Sequence, residues 1–293
     1  MRSAARHLGF QLAALVAFAA VSLAQSPLIE LGRTAIARGD DDAAIEIFQK
    51  AVAQSPKDAQ AHFCLASAYG SKAQKGGMLG AVSFGPKAKA EFEATVALDP
   101  KHVEARYALV QFYAGAPEMM GGSYDDAFAQ AKAIKALDPV VGHRAYAFVY
   151  TQQKKAEQAK QEYLTAIREQ PGSPKAHSYF GLYLANTEKN FAAASTEFET
   201  ALKLDATYMP ALYQLGRTAA LADSNLARGE AALKQYLDYT PKENEPTLAR
   251  AQLFLGNVYE KEKKTAEAKQ SYQKALELNP SLKEATEALK RLP

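Results

Sequence analysis

The chain has 293 residues, 48% hydrophobic and 23% charged, which places it among folded rather than disordered proteins. Its formal net charge is +3 with both signs mixed along the sequence, so it lacks the clustered Lys and Arg of a nucleic-acid surface. The single cysteine, Cys64, excludes an intramolecular disulfide and is expected as a small buried hydrophobe.

The first segment reads as an export signal. Arg2 and Arg6 precede an apolar run from Leu8 to Ala24, interrupted only by Gln11 and Ser22. Ser22 and Ala24 are the small residues expected before a cut after Ala24. Residues 1–24 are therefore expected to be a signal peptide, and the mature chain to be periplasmic, in a Gram-negative bacterium, or secreted. The alternative is an uncleaved N-terminal anchor, since the run is near the lower limit for a membrane span. No Cys follows the run, so a lipid anchor at that site is excluded.

The rest of the chain repeats one helical pattern. Ala44, Phe48 and Ala51 precede Pro56; Ala88, Phe92 and Thr95 precede Pro100. Ala159, Tyr163 and Ala166 precede Pro171, and Ala268, Tyr272 and Ala275 precede Pro280. Steps of four and three lie on one helix face. The small residues admit a neighbouring helix, the aromatic fills the space beside it, and Pro ends the helix or starts the next. Upstream partners read Leu31-Gly32, Phe180-Gly181, Leu215-Gly216 and Leu255-Gly256. Glycine inside a helix costs about 1 kcal/mol relative to alanine, so it predicts close contact with the second helix of the pair.

Leu-Gly-x-x-Tyr, Ala-x-x-x-Phe and Pro on a period near about 34 residues resembles the tetratricopeptide repeat. The resemblance covers essentially the whole mature chain, at about 25–58, 59–102, 103–139, 140–173, 174–208, 209–241 and 249–280, and suggests an exported bacterial member of the family. It implies an all-α fold: a right-handed α-solenoid of about seven helix pairs, closed by a polar capping helix over 281–293. The slot for the family's Trp holds Leu28, His62, Arg106, His143, His177, Leu212 and Gln252. Repeat three has Ala131 in place of the aromatic, and repeat six has Gly229 and Leu233 in place of Ala and Phe.

Two stretches exceed the repeat: Tyr69 to Ala90 and Ala114 to Ala127. Each is expected as an expanded turn between the two helices of its repeat. Met78, Met119 and Met120 are then adaptable apolar contacts for a partner, or the two loops merely pack on each other. Inside the first, Gly80 to Lys87 fails the phosphate-loop pattern, because Pro86 separates Gly85 from Lys87 and Ala88 replaces the hydroxyl. Asp41/Asp42 and Asp125/Asp126 are expected as N-terminal capping charges. His62, His143 and His177 sit one repeat step or more apart, too far for one metal. No catalytic, metal-binding or cofactor-binding constellation is present, so an enzyme is not expected.

The resemblance places two positions of each first helix on the concave face. They include Ile29, Ser67, Ser178, Leu182 and Leu253, and as candidate contacts Arg33, Phe63, Tyr107, Gln111, Arg144, Phe148, Tyr213, Arg217 and Asn257. Aromatic and Arg side chains on one groove suit a peptide. None of the seven pairs is the Lys with Asn by which some members clamp chaperone tails. The expected function is a non-catalytic scaffold or adaptor that binds a protein or peptide in envelope or secretion assembly. It is expected to be a monomer or weak homo-oligomer without a nucleic-acid partner. A solenoid binding a small molecule or glycan is the alternative.

Overall fold

The computed structural model describes residues 26–242 and 245–293; the expected export signal lies outside them. Among the described residues there are fifteen α-helices and no strand. They form seven antiparallel pairs and a final single helix. The pairs are α1 Pro27–Ala37 with α2 Asp41–Gln54, and α3 Ala59–Lys75 with α4 Gly77–Leu98. Next come α5 Val103–Gly115 with α6 Tyr124–Leu137, α7 Pro139–Gln152 with α8 Ala156–Glu169, and α9 Pro174–Tyr183 with α10 Phe191–Leu204. Last are α11 Met209–Ala222 with α12 Leu226–Leu237 and α13 Leu248–Lys261 with α14 Thr265–Leu278; α15 Lys283–Arg291 covers the end. The chain is thus an α-solenoid.

The boundaries follow local chemistry. Pro56, Pro100, Pro171 and Pro280 each fall just past the end of a second helix, where a missing N–H stops it. Pro139 and Pro174 open first helices with the fixed φ that a first turn needs. Side-chain oxygens cap the starts: Asp40 accepts from the Ala43 N–H at 3.0 Å, and Ser123 from that of Asp126 at 3.2 Å. The caps therefore lie one and two residues before the predicted acidic pairs, which occupy the first turns instead. Asp41 is buried and reaches the next repeat, 2.7 Å from the Lys75 Nζ, while Asp42 pairs with Lys72.

In the first, fifth, sixth and seventh pairs the glycine of the first helix meets the large residue of the second. A Cβ placed at Gly32 would lie 2.3 Å from the Phe48 ring, at Gly181 2.7 Å from Phe198, and at Gly256 2.4 Å from Tyr272. In repeat six Leu233 takes the ring's place against Gly216, and Gly229 faces Ala219. In repeat three α6 buries Ala127, Ala131 and Ile134. There Phe128 leaves the pair and packs on Tyr146 and Tyr150 of the next repeat, with ring centroids 5.8 and 5.3 Å away.

The first long stretch is not a loop. Helix α3 runs on to Lys75 and α4 starts at Gly77, so the extra residues lengthen both helices and only Gly76 and Gly77 turn the chain. Pro86 sits inside α4. The lengthened helix leans on the end of α5, just before the second insert: the Lys89 Nζ stands 5.9 Å from the centroid of Phe112 and 5.3 Å from that of Tyr113. The second insert is a turn with one 3₁₀ segment, Glu118–Met120.

The first and last repeats meet. Gly39, at φ 78°, turns the chain between α1 and α2; a Cβ there would lie 2.0 Å from the Ser281 Oγ. A cavity of about 550 Å³ beside this seam is lined by Ile36, Phe48 and Cys64 from the first repeats and by Pro241, Leu248 and Leu278 from the last. The solenoid has turned far enough for the α1–α2 edge to abut the α14–α15 edge.

Repeats six and seven are also joined by charge. Glu230 on α12 accepts from the Lys234 Nζ at 2.6 Å, the Lys264 Nζ at 3.0 Å and the Tyr259 hydroxyl at 3.3 Å. The Lys234 hydrogen bond, then that of Lys264, holds its carboxyl at about 2, below the ordinary 4.5. A depressed carboxylate contributes stability above its unfolded value and loses it as pH falls towards the folded one. The thermal midpoint is therefore expected to fall between pH 4.5 and about 2 more steeply in the native chain than in Glu230→Gln. Parallel acid melts of the two proteins check this.

Candidate functional site

The first helices pack side by side along the inner wall, and Arg144 on α7 stands at the middle of it. Its guanidinium carbon lies 4.4 Å from the ring centroid of Tyr107 on α5 and 4.4 Å from that of Tyr179 on α9. Three successive repeats thus build one aromatic–cation–aromatic stack. Both phenol oxygens also reach the guanidinium, so the partners nearest to this cation are neutral. No carboxylate is within ion-pair distance of Arg144 among the described residues. Burial pushes the Tyr107 phenol above its ordinary range, so at neutral pH it does not compensate the cation. Phe148, one turn along α7, extends the aromatic surface, its ring 6.4 Å from that of Tyr107. Gln111 is exposed beside it.

A second cation lies two repeats on. Arg217 on α11 donates to the Asn186 Oδ1 at 2.9 Å and the Gln214 Oε1 at 3.5 Å, both neutral acceptors. Its guanidinium carbon is 6.0 Å from the Phe254 ring centroid. Burial, reinforced by the nearby Arg250 charge, holds its pKa below the ordinary value, with Tyr213 acting the other way. Asn257 accepts from the Tyr272 hydroxyl at 2.8 Å.

Other residues expected on the groove are packed away. Phe63 is 5% exposed, with its ring against Phe92 and His102, and Tyr213 is 4% exposed against Tyr236 and Phe254. Both face the junction between repeats. Arg33 pairs with Glu30 at 2.9 Å and borders the seam cavity, away from Arg144. Met78 and Met119 are exposed and Met120 partly so. Tyr179 and Tyr208 escaped sequence reasoning. Tyr179 follows the family's groove position Ser178, and Tyr208 lies in the turn before α11. The adjacent aromatics Tyr179 and Phe180 on α9 were the available signal for the first.

In four repeats the slot of the family's Trp is polar and paired. His62 Nδ1 lies 2.5 Å from the Glu91 Oε2, His143 Nδ1 2.6 Å from the Glu162 Oε2, and His177 Nδ1 2.7 Å from the Glu197 Oε2. Arg106 likewise donates to the Gln130 Oε1 at 2.7 Å. Each acceptor immediately precedes the position of the second helix's aromatic or its substitute, so these pairs tie first helix to second. Among the described residues no three His, Cys, Asp or Glu converge to hold a metal, and no helix is long and apolar enough to cross a membrane.

The family model described as tetratricopeptide repeat matches residues 249–282, and one described as TPR repeat matches residues 32–72. The chain is a tetratricopeptide repeat protein. Among solved structures it is similar to yeast Tom70, with a TM-score of 0.54 at 16% identity over 86% of this chain and 58% of that one. It is similar to the Cut9–Hcn1 hetero-tetramer of APC/C, with a TM-score of 0.50 at 17% identity over 90% of this chain and 47% of the other. A tetratricopeptide repeat protein from Parabacteroides merdae aligns over 90% of this chain and 96% of its own, at 15% identity and a TM-score of 0.47. The chain thus spans about half the length of the first two, and these likenesses concern the fold. No curated protein sequence matches it significantly. Tetratricopeptide repeats serve protein interaction in general, and this repeat protein carries the fold of an interaction scaffold.

Proposed function

We propose that this tetratricopeptide repeat protein is a non-catalytic adaptor that holds a protein or peptide segment against its inner wall. The observation that carries this is the stack of Tyr107, Arg144 and Tyr179, a preformed aromatic and cationic surface spanning three repeats. Planar anchors of this kind give much area and directed hydrogen bonds for little lost side-chain entropy. The Leu8 to Ala24 pattern supports export and therefore a role in envelope or secretion assembly. The seam cavity of about 550 Å³ supports a second reading, a small molecule or glycan ligand.

A photo-crosslinking residue placed at Gln111, on the inner wall, is compared in cells with one at Gln161, exposed on the second helix α8. A discrete protein adduct from Gln111 alone is the expected result. An adduct from Gln161 alone moves the interaction to the outer face. Absence of adducts from both, with a thermal shift induced by small ligands, favours the second reading.

A further inference from the structure

We infer that the inner wall selects an acidic, extended segment, with the edge of Arg144 receiving one carboxylate and Arg217 a second. This deepens the proposed peptide-binding function and rests on it. An arginine cation enclosed by protein usually meets an acid, because a buried unpaired charge is costly. Even exposed cations of this molecule make that pairing: Arg228 with Glu199 at 2.7 Å, Arg291 with Glu260 at 2.9 Å, Lys175 with Asp138 at 2.9 Å. Arg144 is the exception at the centre of the groove. Two tyrosine faces hold it, and no acid answers it among the described residues. Arg217 is held by the amides of Asn186 and Gln214 and likewise meets no acid there. The acids around the groove are engaged or lie to one side. Asp138 is taken by Lys175, and Glu284 approaches Arg250 at 3.9 Å. Glu245 accepts from the Lys242 N–H at 2.8 Å.

The geometry also sets a spacing. Arg144 on α7 and Arg217 on α11 are two first helices apart, and packed helices stand about 10 Å from one another. About 20 Å of extended chain is about six residues. The inferred ligand therefore carries two Asp or Glu residues about six positions apart, within a segment and not at a chain end. Such a ligand needs two side-chain carboxylates and no free terminus, and each guanidinium edge matches a carboxylate in a bidentate pair.

The test is selection from a display library of random peptides, fused so that neither terminus is free, against the full chain. The same selection is run on Arg144→Gln, Arg144→Lys and Arg217→Gln. Thermal midpoints are measured alongside; Arg144→Lys and Arg217→Gln keep the test decisive where Arg144→Gln loses its fold. The expected binders to the native chain carry paired acidic residues at the stated spacing. Their affinity falls about tenfold or more on Arg217→Gln and Arg144→Gln, and less on Arg144→Lys, which keeps the charge but not the fork. Added salt weakens them. Neutral or basic binders, indifferent to both arginines yet crosslinking at Gln111, overturn the acidic preference and leave the adaptor standing. Failure to select any peptide overturns the groove reading and this inference with it.

Discussion

Gly256→Leu is expected to destabilise the last repeat by about 3 kcal/mol or more, the range in which overpacking forces backbone shifts. A Cβ at this position already lies 2.4 Å from the Tyr272 Cε1 and 2.6 Å from its Cδ1. The ring cannot withdraw easily. Tyr272 is fully buried, and its hydroxyl donates to the Glu260 Oε2 at 2.7 Å and lies 2.8 Å from the Asn257 Oδ1. A leucine must therefore separate α13 from α14 and break those contacts. The better helix propensity of leucine returns only about 1 kcal/mol. Gly70 supplies the control: it lies inside α3 with nothing within 4 Å of its would-be Cβ, so Gly70→Leu is expected to be neutral or mildly stabilising. Denaturant unfolding of both variants checks the contrast. Hydrogen exchange locates it, since repeat arrays lose stability unit by unit and protection should fall across α13 to α15 first.

That contrast shows which parts of the fold the residues announce. The code of glycine opposite a ring is local: both members sit at fixed offsets within one helix pair, so Gly32 and Phe48, Gly181 and Phe198, Gly256 and Tyr272 were readable from spacing. The lengthened α3 and α4 were not. Gly76, Gly77, Gly80, Gly85 and Pro86 carry the usual marks of a loop, and helix was chosen there by tertiary support: Gly80 packs against the carbonyls of Lys72 and Ala73, and Gly85 against Phe112. Acidic pairs mark helix starts in the sequence, yet Asp40 and Ser123 do the capping, because the cap side chain must precede the first turn. The closure of the first repeat onto the last was illegible. It sums small rotations over seven pairs, and only Gly39 beside Ser281 betrays it, at residues far apart in the sequence.

The groove was legible in position and illegible in exposure. Repeat register places Phe63, Tyr107, Arg144 and Tyr213 at equivalent points, but the neighbouring repeat decides whether each ring stays accessible. His102 closes over Phe63 with centroids 4.5 Å apart, and Phe254 closes over Tyr213 at 5.8 Å. Across Tyr107 the neighbour is Arg144, too polar to bury the ring completely, so that surface remains partly open. Accessibility on such a wall is a property of pairs of repeats, and a single repeat's consensus does not encode it.

The same dependence on pairs makes His143→Ala the second large expected effect. His143 is 2% exposed, and its two ring nitrogens face two carboxylates, Nδ1 the Glu162 Oε2 at 2.6 Å and Nε2 the Glu169 Oε2 at 3.1 Å. Its hydrogen bond draws the Glu169 carboxyl below the ordinary range. Alanine removes a buried ring and both of its contacts with the carboxylates. Truncating a fully buried aromatic ring to alanine costs about 3–5 kcal/mol. Glu162 and Glu169 keep 23% and 47% of their side-chain surface, so water compensates part of the loss, and about 2–3 kcal/mol is expected. His177→Ala removes a ring with 13% exposure and one carboxylate partner, Glu197, and should cost about half as much. A double-mutant cycle of His143→Ala with Glu162→Gln, followed by denaturant unfolding, measures the coupling directly. A coupling near zero would mean that the slot is held by packing alone and that His143 stands in for the family's Trp only by shape. A coupling above about 1 kcal/mol would mean that this repeat has exchanged an aromatic plug for a charge-assisted link between its two helices.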